Sequence, residues 1–187
     1  MVLAACVAVG TGCVTDPRAT YFKDAGETSN VFVAPGHASI KKVAVLPFKA
    51  MTELIGVSVS DQFVTELLRT GQYDLVERGQ MSLVLGEQEL AMAGLSSTRA
   101  AEVGGMMGAD GVIIGTVSEY EAVAQKGRTR PVVGISARLI DCRSGRIVWS
   151  VDLAQRAMDT SMTLSEHSRR VVHEMMAGVF REMNRAR

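Results

Sequence analysis

Aromatic residues are scarce in this chain: one Trp, three Tyr and five Phe among 187 residues. There are too few rings to build a base-stacking platform, and 20 Lys and Arg are cancelled by 20 Asp and Glu. Nothing pulls the chain toward nucleic acid, and none is expected among its partners. Cysteine is scarce too. Two of the three lie in the first thirteen residues, which is not a disulfide framework. Histidine is limited to His37, His167 and His173. The last two are six residues apart on an expected helix, about 600° around its axis, so they share no face, and HSRRVVHEMM is not the HExxH zinc pattern. All three read as surface or boundary residues. Cys142 falls in a turn with no His or Asp that the sequence can place beside it, and reads as an inert thiol. No catalytic, cofactor or metal residues are expected.

Long apolar runs are also missing. The one candidate, MVLAACVAVGTGCV at the start, is shorter than the roughly 20 residues a spanning helix needs. Small residues closing on a cysteine instead match a bacterial lipoprotein signal, in which that cysteine is acylated. LAAC and GTGC are the two candidates. Only five residues precede Cys6, too few for export, so Cys13 is the expected lipidation site and Cys6 the alternative. No Lys or Arg precedes the run as an export signal requires, a pattern expected if the true start lies upstream. Residues 1–13 are thus read as the signal, 14–40 as a flexible tether with one short strand at Val31–Val33, and 41–187 as a single folded domain.

The periodicity within that domain alternates between strand and helix. Lys42–Phe48 reads as a strand ended by Pro47, and Ser60–Thr70 as a helix with Phe63, Val64, Leu67 and Leu68 on one face, stopped by Gly71. Tyr73–Glu77 is a second strand and Met81–Ala93 a second helix, closed by Gly94. Ala100, Ala101, Val103, Met106 and Met107 recur at helical spacing up to Gly108, and Val112–Ile114 is a β-branched run suited to a central strand covered on both faces. Val133, Ile135, Ala137 and Leu139 alternate with Gly134, Ser136 and Arg138. The turn Asp141–Arg146 joins that strand to a second alternating run, Ile147–Leu153, as a β-hairpin. A last helix from Thr163 to about Asn184 opens with a capping box, Thr163 and Glu166, and turns Val172, Met175, Met176, Val179, Phe180 and Met183 inward. The pattern predicts an α+β (α/β) domain, a small mixed sheet with flanking helices on one face.

Two features invite a sharper reading. Gly104, Gly105, Gly108, Gly111 and Gly115 could suggest a phosphate cradle, but such loops run from strand into helix and this one runs from helix into strand. Structural roles are expected. The methionines fall at helical spacings as core filler, while Arg169, Arg170, Glu174, Arg181, Glu182 and Arg185 form a solvated face that could bind a partner or anionic headgroups.

Taken together, KKVAVLPF (41–48), LLRTGQYDLVERGQM (67–81), LGEQELAMAG (85–94), MMGADGVIIGTV (106–117) and DCRSGRIVWS (141–150) resemble the curli-secretion lipoprotein family, CsgG/HfaB type, in order and spacing. The resemblance implies a non-catalytic periplasmic domain, related in fold to the TolB N-terminal domain, lipid-anchored on the periplasmic face of the outer membrane. The curli channel is similar to a ring of such domains whose hairpins build a membrane barrel. Here Glu119–Arg130 and Ala154–Met162 are too short and too charged for spanning hairpins, which need about 9–11 residues per strand. The expected role is therefore a scaffold that forms a homo-oligomeric ring or joins protein partners in a cell-envelope or secretion complex. The alternative is a regulator similar to LpoB, the activator of penicillin-binding proteins, which GRIVWS (145–150) also resembles. A linker of about 25 residues reaches roughly 80 Å at most, which favours the scaffold.

Overall fold

The computed structural model describes residues 30–77, 95–125 and 127–186. The signal with Cys6 and Cys13, most of the tether and the expected helix Met81–Ala93 with Gly94 lie outside the described residues.

Among the described residues six strands form one mixed sheet in the order β1-β6-β5-β4-β2-β3. They are β1 (Asn30–Val33), β2 (Lys42–Val45), β3 (Asp74–Leu75), β4 (Gly111–Gln125), β5 (Arg128–Asp141) and β6 (Ile147–Arg156). Among the described residues three helices accompany them: α1 (Glu53–Thr70), α2 (Ser97–Met106) and α3 (Leu164–Arg185). β2 runs parallel to β3 and β4, while β4, β5, β6 and β1 are successively antiparallel.

The domain begins earlier than Lys41. Val31 pairs with Val151 and Val33 with Trp149, so Asn30–Val33 is an edge strand. The chain returns from it through a 3-10 turn where His37 is buried with its Nδ1 3.3 Å from the Ala34 carbonyl oxygen. A histidine expected on a tether is therefore a pin inside the fold. His167, expected at the surface, is also buried, with Nε2 2.9 Å from the Gln155 carbonyl oxygen, which fastens the first turn of α3 to the end of β6.

The alternating strands bury the residues their pattern predicts. Ile113, Leu139, Trp149 and Val33 lie side by side across four strands and face α1 and α3, together with Val59, Phe63, Leu67, Val172, Met175, Met176 and Val179. The other face carries the neighbouring row, Ile114, Arg138, Ser150 and Phe32. Its β2–β4 half is covered by α2, where Ala100, Ala101, Val103 and Met107 pack on Ala44, Leu46, Val112 and Ile114. Helices thus flank both faces, not one. The reason is local: Val112, Ile113 and Ile114 point alternately to the two sides, and each side needs a helix to keep β-branched side chains from water.

α1 begins seven residues before the expected Ser60. The Thr52 hydroxyl caps it, accepting from the Ile55 N–H at 3.4 Å. Gly56 and the β-branched residues around it mask this turn in the sequence, yet Gly56 is what allows it, because a Cβ there would collide with the Phe48 carbonyl. Leu68, expected inside, is exposed; the helix buries a stripe of Val59, Phe63 and Leu67 and leaves the adjoining position wet. After α2 the chain reverses at Gly108 (φ 65°), whose N–H donates to the Gly105 carbonyl, and enters β4. Asp110 locks that entry to β2: its Oδ2 accepts from the N–H groups of Lys42 (2.9 Å) and Lys41 (3.2 Å).

Candidate assembly surfaces

α1 and α3 both start at the end of the sheet where β2 and β6 finish, and they run side by side, Ser168 donating to Gln62 at 2.8 Å and Glu66 meeting His173 at 2.9 Å. The β4–β5 hairpin projects from the same end. β6 pairs with β5 only as far as Val132↔Arg156, so beyond it Ala122–Gln125 and Arg128–Pro131 form a two-stranded ribbon. Residues 119–130, expected as a connection between strands, are mostly strand themselves, with a bulge between Val117 and Glu119 that redirects the ribbon. The free part has only four residues on each strand, against the roughly 9–11 that span a bilayer, and it carries Arg128 and Arg130. It cannot cross a membrane as a spanning hairpin does. Among the described residues no helix is long and apolar enough to do so.

Large exposed apolar side chains are informative when they cluster. Met51 and Leu54, around the start of α1, and Met158, just past β6, belong to the ribbon end of the molecule and are 83%, 78% and 76% exposed. Two others stand at opposite edges of the sheet. Phe32 on β1 is more than half exposed on the face that α2 leaves open. Leu68 on α1 rims a cavity of about 290 Å³ with Val45, Pro47, Val64 and Leu75, beside the β3 edge. Sequence periodicity could not single these residues out, since Leu68 matches a core position and Phe32 lies in a segment read as tether.

The residues weighed for chemistry divide differently. Cys142 is half-buried; burial, then the charges of Asp141 and Asp110, push its thiol up to about 11, away from reactivity. Gly104, Gly111 and Gly115 are packing glycines: a Cβ would strike Cys142 Sγ, the Leu139 side chain and the Phe48 ring respectively. Phe48 in turn leans on Phe63, ring centroids 4.9 Å apart. The glycine-rich stretch therefore serves close packing around β4. Of the methionines, Met107, Met175, Met176 and Met183 are core, whereas Met106 is exposed. Tyr73 closes the bottom of the α3 core with its hydroxyl donating to Met183 Sδ at 3.7 Å, and burial raises its pKa against the opposing effect of Trp149.

Among the described residues, a six-stranded mixed sheet with a long central hairpin, two parallel helices on one face and one helix on the other defines an α+β class. The profile of the family described as "Curli production assembly/transport component CsgG" matches residues 37–178, and the chain belongs to that family. Among solved structures it is similar to the PelC dodecamer from Paraburkholderia phytofirmans (TM-score 0.60, 22% identity, 80% of this chain and 94% of that one). It is also similar to lipoprotein GNA1162 from Neisseria meningitidis (TM-score 0.53, 16% identity, 78% and 99%). No curated protein matches the chain.

Proposed function

We propose that this protein is a non-catalytic envelope lipoprotein that works by assembling with copies of itself into a closed ring on the periplasmic face of the outer membrane, as a scaffold of a secretion or cell-envelope complex. The observation that carries this reading is the pair of unlike apolar features at the two sheet edges, the exposed ring of Phe32 at β1 and the cavity rimmed by Leu68 at β3. A contact between different patches on neighbouring copies is head-to-tail, and it closes into a ring when the rotation per copy allows. The dodecameric state of PelC, a protein of the same fold, supports this.

The anchor is the acylated Cys13, or Cys6 in the alternative. From Cys13 to Asn30 the chain is 17 residues, a reach of roughly 55 Å at most, shorter than a tether running to residue 40. Such a link keeps the domain near its membrane.

The test is the native mass of the detergent-extracted protein by light scattering or native mass spectrometry. A closed multiple of the 20.0 kDa chain, less its cleaved signal, supports the scaffold. A monomer at micromolar concentration overturns it and favours the regulator of cell-wall synthesis.

A further inference from the structure

We propose that the crevice between the outer surfaces of α1 and α3 is a binding site for a phosphate group, carried either by a small phosphate compound or by a phospholipid headgroup. The crevice is a cavity of about 280 Å³ into which Arg69 of α1 and Arg169, Arg170 and His173 of α3 converge, with Gln62 and Thr65 on its wall. It holds one carboxylate, Glu66, and that carboxylate is occupied on both oxygens: Oε1 accepts from Arg69 Nη1 at 2.9 Å and Oε2 lies 2.9 Å from His173 Nδ1. Within the lining three guanidiniums face one carboxylate; outside it, Glu166 lies in the field of Arg169 and Asp159 in that of Arg170.

Elsewhere on the helices two arginines are matched locally. Arg99 pairs with Glu102 and Arg185 with Glu182, each three residues apart. Arg169 and Arg170 have no carboxylate oxygen within 4 Å among the described residues. Two adjacent guanidiniums without a direct ion pair, facing a third across a cavity, are the arrangement that a tetrahedral phosphate satisfies, since it can accept from more than one fork at once while a planar carboxylate fills one. The helix spacing also fixes the geometry. Gln62–Ser168 and Glu66–His173 clamp α1 to α3 on either side of the arginines, so the walls of the site are held before any ligand arrives.

The experiment uses the full chain with Cys6→Ser and Cys13→Ser, so that no acyl chain carries it onto membranes. In one arm inorganic phosphate is titrated against sodium chloride of equal ionic strength and the melting temperature is followed. In the other, the protein is co-sedimented with phosphatidylglycerol or phosphatidylcholine vesicles, with and without phosphate as competitor. The expected result is a phosphate-specific rise in melting temperature. It is weakened about tenfold or more in apparent affinity by Arg169→Gln/Arg170→Gln and kept by Arg138→Gln/Arg146→Gln, which removes the same charge from β5, on the face away from α1 and α3, and from the β5–β6 turn. Phosphatidylglycerol binding that phosphate competes away and the first double variant abolishes identifies a headgroup; a phosphate effect without vesicle binding identifies a small phosphate compound. No effect beyond chloride, or an equal effect in both double variants, overturns the site. Binding of polyglutamate in place of phosphate also overturns it, in favour of an acidic protein partner.

Discussion

Single residues at the junctions of this fold carry roles that their type alone does not announce. Asp110 is the clearest. Its carboxylate accepts two backbone N–H groups of β2, those of Lys42 and then Lys41, and they hold its pKa below the usual carboxylate range. A carboxyl whose folded pKa is depressed stabilises above its unfolded value, near pH 4, and loses that contribution as pH falls through the folded value. Asp110→Asn is therefore expected to lower stability by about 1 kcal/mol at pH 7. The difference from the parent should shrink as pH falls through the depressed folded value, as read from urea midpoints at pH 7 and at successively lower pH. Gly115 makes a different demand. A Cβ there enters the space of the Phe48 ring, which Phe63 holds from behind, so Gly115→Ala is expected to cost about 1–3 kcal/mol by overpacking. Cys142 completes the set at this scale: with its thiol near 11, only about a thousandth is thiolate at pH 8. Alkylation in the native state should be slow and should accelerate sharply on unfolding.

At the scale of elements, the best-determined piece is α3. Its capping box is complete, Thr163 accepting from the Glu166 N–H at 3.2 Å while Glu166 accepts from the Thr163 N–H at 2.8 Å. Thr163→Ala should cost about 1 kcal/mol and lower the melting temperature by roughly 2–4 °C. This helix and the β5–β6 hairpin were legible in the sequence because each announces itself locally: a cap followed by a 3.6-residue stripe, and two alternating runs around a turn. The first turn of α1 was not, and β1, legible as a short strand at Val31–Val33, could not be assigned to the sheet rather than to the tether. Four residues of edge strand gain their meaning only from Val151 and Trp149, more than a hundred positions away. α1 hides its start behind Gly56, a poor helix former kept for contact with Phe48. The buried histidines belong to the same lesson. Neither the burial of His37 nor that of His167 follows from its neighbours in sequence, because the carbonyls they face belong to turns and strand ends placed by the sheet. The candidate surfaces were the least legible of all, since an apolar cavity or a basic crevice is made by two elements meeting.

For the whole molecule, the decisive property is that its two sheet edges are unlike. If copies join head to tail, blocking either edge should break the assembly. Phe32→Glu and Leu68→Glu, made separately, are each expected to convert the oligomer to monomer in light scattering. Each is also expected to leave the urea midpoint of the monomer nearly unchanged, within about 0.5 kcal/mol, because both side chains are already largely in water. Loss of folding in both would count against them as interface residues. β1 has one more role in such an assembly. It is the first described strand after the proposed anchor, and its bonds to β6 stand across the strand direction. A pull along the strand axis at Asn30 therefore loads the rungs of that ladder in shear, sharing the force among them, whereas a pull away from the sheet opens them one at a time. The domain is thus mechanically strongest against tension directed along its own strands, and an anchored ring would bear load best with those strands aligned to the tether.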